Sequence, residues 1–196
     1  MTLKEIKEVM RGEWVSIAPE LRPSTIKNAD GAVKPFYLTR TFRYQLDDEF
    51  QLTILNLADP YGKAPLATLF IQGHIVWQGD HPIVAGAQKV DFVADIEYTV
   101  TPLLQAFPDA LNSLASKGFD KWEVNRAQSI FKKAFPPFGL EERQVFAEYD
   151  LLYLSGDLLF WGARHVDGRG FDKEENRPTN LQIPLVRKQS SISDPA

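Results

Sequence analysis

The chain has 196 residues, 44% of them hydrophobic and 12% aromatic, which suits one domain with a sizeable core. Its net charge of −4 leaves no positive excess for a phosphate backbone, so nucleic acid is not expected as a partner. The absence of cysteine excludes disulfides, thiolate metal sites and cysteine nucleophiles. With an N-terminus charged from its fourth residue, that absence points to a cytoplasmic protein. No apolar run approaches the ~18–20 residues that cross a bilayer, so no membrane insertion is expected.

Thr2 and Glu5 form a Thr-x-x-Glu capping box ahead of Ile6, Val9 and Met10, predicting a short amphipathic helix to about Arg11. Gly12 stops it, and Glu13 to Ile17 reads as a strand. Pro19 and Pro23 then mark a loop, and Asn28-Ala-Asp-Gly31 an exposed turn. Phe36 to Leu46 is the next strand; Asp47-Asp48 turns it, and Glu49 to Leu57 returns as its hairpin partner. After the turn at Asp59-Pro-Tyr-Gly62, a long strand from Leu66 to Gln78 carries Ala67, Leu69, Ile71, Ile75 and Trp77 on one side.

Lys89 to Val100 is the most informative stretch. Its even positions, from Val90 and Phe92 to Tyr98 and Val100, are apolar, and only Val93 interrupts the polar odd ones. This period of two predicts a central strand with one face in the core. Asp91, Asp95 and Glu97 on the other face are then expected to meet water. A helix is predicted from Thr101-Pro102, with a second helical piece around Trp122 to Phe135, making a helical insert over about 102–135. Strands resume at Gln144 to Leu154 and Leu158 to His165, a loop spans Asp167 to Asn176, and Leu181 to Val186 is a last short strand. Residues 1–188 thus read as one domain and 189–196 as a disordered tail. The order of elements predicts a mainly β, antiparallel fold, a closed or partly open barrel.

Gly12-Glu13-Trp14-Val15-Ser16 is a lipocalin-like Gly-x-Trp start. Glu20-Leu-Arg22-Pro23, Leu38-Thr39-Arg40, Asp59-Pro60 with Pro65, and Gly73 follow it. Then come Ala85-Gly86, Val100-Thr101-Pro102, Leu159-Phe160-x-Gly162 and Gln182-Ile-Pro184-Leu185-Val186. In that order, from Gly12 to about Val186, they resemble the domain of the adenomatosis polyposis coli down-regulated protein family. The resemblance implies a curved, lipocalin-like antiparallel sheet, as a barrel or half-barrel, and a binding role. It does not imply Wnt antagonism, the activity of animal members: the family's cysteines are replaced here, with Pro19 and Gly62 at such positions.

The residues expected to face inward and to line a ligand site are Phe42, Tyr44, Ile54, Leu69, Ile71, Trp77, Phe92, Ile96 and Tyr98. Arg40, on an apolar face, needs a partner, and Trp14 is the expected one, in a cation–π plug of structural importance. Arg43, His74 and Arg164 are candidates for polar contacts at a rim. His74, His81 and His165 lack metal-site spacing, no Gly-x-Ser-x-Gly elbow is present, and Gly168-Arg-Gly170 is not a phosphate loop. No catalytic residue, metal or cofactor is therefore assigned. The expected function is non-enzymatic binding of an apolar small molecule, lipid or peptide segment. The alternatives are a small metal-independent enzyme acting on an apolar substrate at the barrel mouth, or a module that binds a protein partner.

Overall fold

Helix α1, Leu3–Met10, starts where the sequence places it: Thr2 Oγ1 accepts from the Glu5 amide at 3.3 Å, and Glu5 accepts from the Thr2 amide at 2.7 Å. Its Ile6 and Met10 are buried. The strands that follow are β1 (Gly12–Ser16), β2 (Glu20–Lys27), β3 (Val33–Tyr44), β4 (Glu49–Leu57), β5 (Pro65–Asp80) and β6 (Gln88–Pro102). After helix α2 (Ala106–Ser113) come β7 (Gln128–Ser129), β8 (Ala147–Ser155), β9 (Leu158–Trp161) and β10 (Leu185–Arg187). The computed structural model describes residues 1–27, 31, 33–114, 118–165 and 169–189. The expected turn at Asn28-Ala-Asp and the tail from Ser190 onward lie outside the described residues.

All ten strands belong to one antiparallel sheet in the order β1-β10-β9-β8-β6-β5-β4-β3-β2, with β7 beside β6. β1 has two partners: Trp14 lies opposite Arg187 of β10 and opposite Phe42 of β3. The pairings therefore return to their starting strand. β3 accepts β1 over Thr41–Tyr44 and β2 farther along, at Tyr37 and Leu38, so the two short strands follow one another beside it. β3 and β4 meet at Asp47-Asp48, both with positive φ (58° and 62°), the conformation a tight hairpin turn demands and aspartate tolerates.

The period-two stretch is the central strand β6, and Val90, Phe92, Ala94, Tyr98 and Val100 are buried. Ile96 is not: it is 40% exposed. On β5, Gln72 pairs with Glu97 while His74 pairs with Val93, so the three residues Ala94–Ile96 face Gly73 alone. This bulge displaces Asp95 and Ile96 from the ladder and preserves the parity on either side. Gly73 permits it, because a Cβ there would fall 1.8 Å from the Val93 carbonyl oxygen.

Other elements differ from expectation. The segment read as a loop with Pro19 and Pro23 contains β2, in which Pro23 lies opposite Pro35 on the strand at the end of the sheet order, a position where proline is tolerated. The helical insert over 102–135 reduces to α2. Thr101 and Pro102 remain in β6 opposite Thr68 and Ala67, so the helix begins at Ala106. Trp122 to Phe135 forms no helix. Asn112 exchanges hydrogen bonds with the Trp122 backbone (2.8 and 2.9 Å), the Gln128 side chain accepts from the Asp120 amide, and Asn125 and Lys132 have positive φ. There Phe119, Trp122, Phe135 and Phe138 pack as an aromatic cluster, with ring centroids 5.0–5.8 Å apart. Asp91 is buried rather than solvated, because Arg177 covers it with a 2.6 Å ion pair.

Candidate ligand-binding cavity

The core face of the sheet is dominated by rings. Trp161 of β9 stacks on Phe92 at 3.9 Å and on Phe42 at 4.1 Å, and Phe50 meets Phe92 edge-on at 5.3 Å. Such rings fill the core around α1 without filling the whole interior, and a cavity of about 260 Å³ remains beside them. Phe42, Ile54, Leu69, Ile71, Phe92 and Tyr98 line it. These come from the inward positions read off the alternation. Tyr44 and Trp77 line a different recess of about 240 Å³, between α1 and the β3–β4 turn, with Lys7 and Asp48. There Trp77 Nε1 donates to Asp48 at 3.0 Å, and Lys7 bridges Asp48 and the Trp77 ring. Ile96, displaced by the bulge, lines neither.

The cavity wall includes residues that sequence reasoning did not assign. Phe138 and Phe146 stand against Tyr98, at 6.4 and 5.7 Å between centroids, and connect the cavity to the aromatic cluster after α2. Phe36, Leu38, Phe50, Leu52, Ala94 and Trp161 complete the apolar part. The polar part is Arg22, Arg40, Arg164, Glu148 and Asn56. Of the rim candidates only Arg164 belongs to it. Arg43 pairs with Glu13 and His74 with Asp95, both outside the cavity lining. The one signal available was an inward Arg40 that needed a carboxylate; Glu20 and Arg22 lie in a stretch that reads as a loop, so their shared parity on β2 is seen only in the structure.

Arg40 does not lie over Trp14. Its Nε and Nη2 donate to Glu20 at 2.9 and 3.1 Å, and its guanidinium sits 5.6 Å from the Trp161 ring and 5.9 Å from Phe42. A carboxylate offering two acceptors outweighs a ring face, so Glu20 takes the arginine. The cation over Trp14 is Arg187, at 4.3 Å, which also donates to the Arg11 carbonyl at 2.8 Å and to that of Val9. Trp14 itself is fully buried and donates to the Met10 carbonyl at 2.7 Å. Both residues thus tie β1 and β10 to the end of α1.

Asp150 shares its face of β8 with Glu148 and is fully buried. Its Oδ1 accepts from the Leu151 and Gly162 amides at 2.7 and 2.9 Å. Burial, with the nearby Glu148 charge, pushes its carboxyl up from 3.8 to about 7 despite those amides and Arg164. The neighbouring Tyr44 hydroxyl is also pushed up by burial; it and the Trp161 indole N–H are buried without a completed hydrogen bond. An Asp150 that ionises later in the folded chain than in the unfolded one favours folding fully below pH 3.8. That contribution declines as the pH rises through about 7. Asp150→Asn cannot ionise, so its stability relative to wild type should rise between pH 4 and 7, by up to about 4 kcal/mol. Urea denaturation across that range checks it, and a constant difference refutes it.

His81 is buried as a neutral ring: Nδ1 accepts from the Ile83 and Val84 amides, leaving Nε2 to donate to the Pro178 carbonyl at 3.0 Å. Burial holds it below its ordinary value. Among the described residues no group of three His, Asp or Glu side chains is placed to hold a metal ion, and no helix is long and apolar enough to cross a membrane. No protein-family model matches the chain.

Proposed function

We propose that this chain is a single lipocalin-like barrel of the adenomatosis polyposis coli down-regulated type, acting in the cytoplasm as a non-enzymatic carrier or sensor of a small apolar or amphiphilic molecule. Strand pairings that return to β1 support the barrel reading. The observation that carries the binding reading is the cavity of about 260 Å³ on the core face, walled by Phe42, Phe92, Tyr98 and Trp161. It lies just under the ~300–1,000 Å³ usual for small-molecule sites, which favours a small guest over a bulky lipid or a peptide segment. The enzyme alternative gains little. Asp150 has the perturbed titration of an acid–base group, yet it lies outside the cavity lining and gives Oδ1 to two amides.

A neutral naphthalene probe, N-phenyl-1-naphthylamine, should bind with a blue-shifted emission at tens of micromolar or below. Ile54 is a half-buried wall residue, and Ile54→Trp fills space rather than emptying it. It should weaken binding at least tenfold, about 1.4 kcal/mol. Trp77→Ala, in the other recess, should leave binding unchanged. Binding that survives Ile54→Trp and is lost in Trp77→Ala would move the site to the α1 recess.

A further inference from the structure

The cavity lining carries three guanidinium groups, Arg22, Arg40 and Arg164, against one carboxylate, Glu148. Glu20, outside the lining, accepts from Arg40 and, at 2.6 Å, from Arg22; Glu148 accepts from Arg164 at 2.9 Å. Two carboxylates therefore serve three cations. The third acid nearby, Asp150, is outside the lining and bonds the Leu151 and Gly162 amides. The cations also crowd one another. Arg22 is held below its ordinary value first by burial, with Arg40 and Arg164 adding to the effect and Glu20 opposing it. The Arg22 and Arg40 side chains are only 15% and 9% exposed, so water compensates little of this charge. Donors remain available: Arg40 Nη1 and Arg164 Nε and Nη1 make no hydrogen bond among the described residues.

We propose that the cavity recognises its guest by an anionic head (a carboxylate or phosphate monoester) held by Arg22, Arg40 and Arg164, with a short apolar tail against Phe42, Phe92 and Trp161. This rests on the binding function proposed above and specifies its ligand class. Two largely buried guanidinium groups, Arg22 and Arg40, with the 38%-exposed Arg164 beside them, reward a planar or tetrahedral oxyanion, which accepts two or more charge-assisted hydrogen bonds at once. The protein's net negative charge does not oppose this, because the guest meets the local cations at short range.

The test compares N-phenyl-1-naphthylamine with its sulfonated counterpart, 1-anilinonaphthalene-8-sulfonate, on the intact protein. The anionic probe should bind about tenfold tighter or better. Arg22→Gln and Arg164→Gln should each remove most of that advantage, read within each variant as the ratio of anionic-probe to neutral-probe affinity. Competition by octanoate and by octyl phosphate, with octanol as the neutral control, assigns the head: displacement by either anion well below the octanol concentration supports the proposal and distinguishes a fatty acid from a phosphorylated lipid. Equal affinity of the two naphthalene probes, with octanol as good a competitor as octanoate, overturns the proposal and leaves the apolar cavity standing. Failure of both probes removes the cavity reading and this one with it. The wild-type comparison decides between these outcomes even where an arginine variant does not fold.

Discussion

Phe92→Ala should lower the folding stability by about 3–5 kcal/mol, the cost of deleting a core ring whose neighbours relax only partly. Phe92 is 5% exposed, stacks on Trp161 at 3.9 Å and meets Phe50 edge-on at 5.3 Å, so three elements lose contact together. The site also borders the cavity, and truncation should enlarge that space as well as weaken the wall. Urea denaturation of the variant measures the effect. A loss under about 1 kcal/mol would mean that the even positions of β6 do not face the core.

Arg177→Leu is expected to be of similar size, about 3–5 kcal/mol, for an electrostatic reason. Arg177 is 5% exposed at its side chain and donates through Nη1 to the Val90 and Asp150 carbonyls at 2.8 and 2.5 Å, and through Nη2 to Asp91 at 2.6 Å. Removing it strands the buried Asp91 carboxylate with, among the described residues, only the Gln78 amide, at 2.7 Å, as hydrogen-bond partner. Asp91→Asn added to Arg177→Leu removes that unpaired charge, so the double variant should recover a substantial part of the loss. A double variant no more stable than Arg177→Leu alone would locate the cost in the two carbonyls instead. Thermal or urea unfolding of the three proteins near pH 7 decides it.

The sequence reveals those features that depend on local periodicity and not those set by contacts between distant segments. The capping box and the hairpin at Asp47-Asp48 are each fixed within a few residues and form as read, and the β6 alternation does so apart from Ile96 and Asp91. Ile96 fits the alternation and still leaves the core, because the bulge depends on Gly73 of the neighbouring strand. Asp91 reads as solvated until Arg177 arrives from a loop far downstream. Arg40 visibly needed a partner, and Glu20 rather than Trp14 supplies it, which periodicity does not decide. The region between Trp122 and Phe135 has apolar spacing compatible with a helix. Side chains that bond its own backbone, and rings that pack on one another, hold it in another form. For the cavity, the apolar wall was legible from parity; the arginine cluster was not, since it assembles from β2, β3 and the segment after β9.

The double pairing of β1, to β3 and to β10, also has a consequence for how the molecule is made. β1 precedes the other strands of the sheet in the chain, and β10 follows them. Throughout synthesis of the intervening chain, one edge of β1 and one edge of β9 carry backbone donors and acceptors without their final partner. Pairing β10 with β1 joins segments far apart in the chain, Trp14 with Arg187, the kind of contact that slows folding most. β10 contributes only three residues to that pairing, with Arg187 reaching the Trp14 ring and the end of α1. The β1–β10 pairing, which rests on Leu185–Arg187, is therefore expected to form late in folding, and amides along β1 and β10 should exchange with solvent before those of β5 and β6.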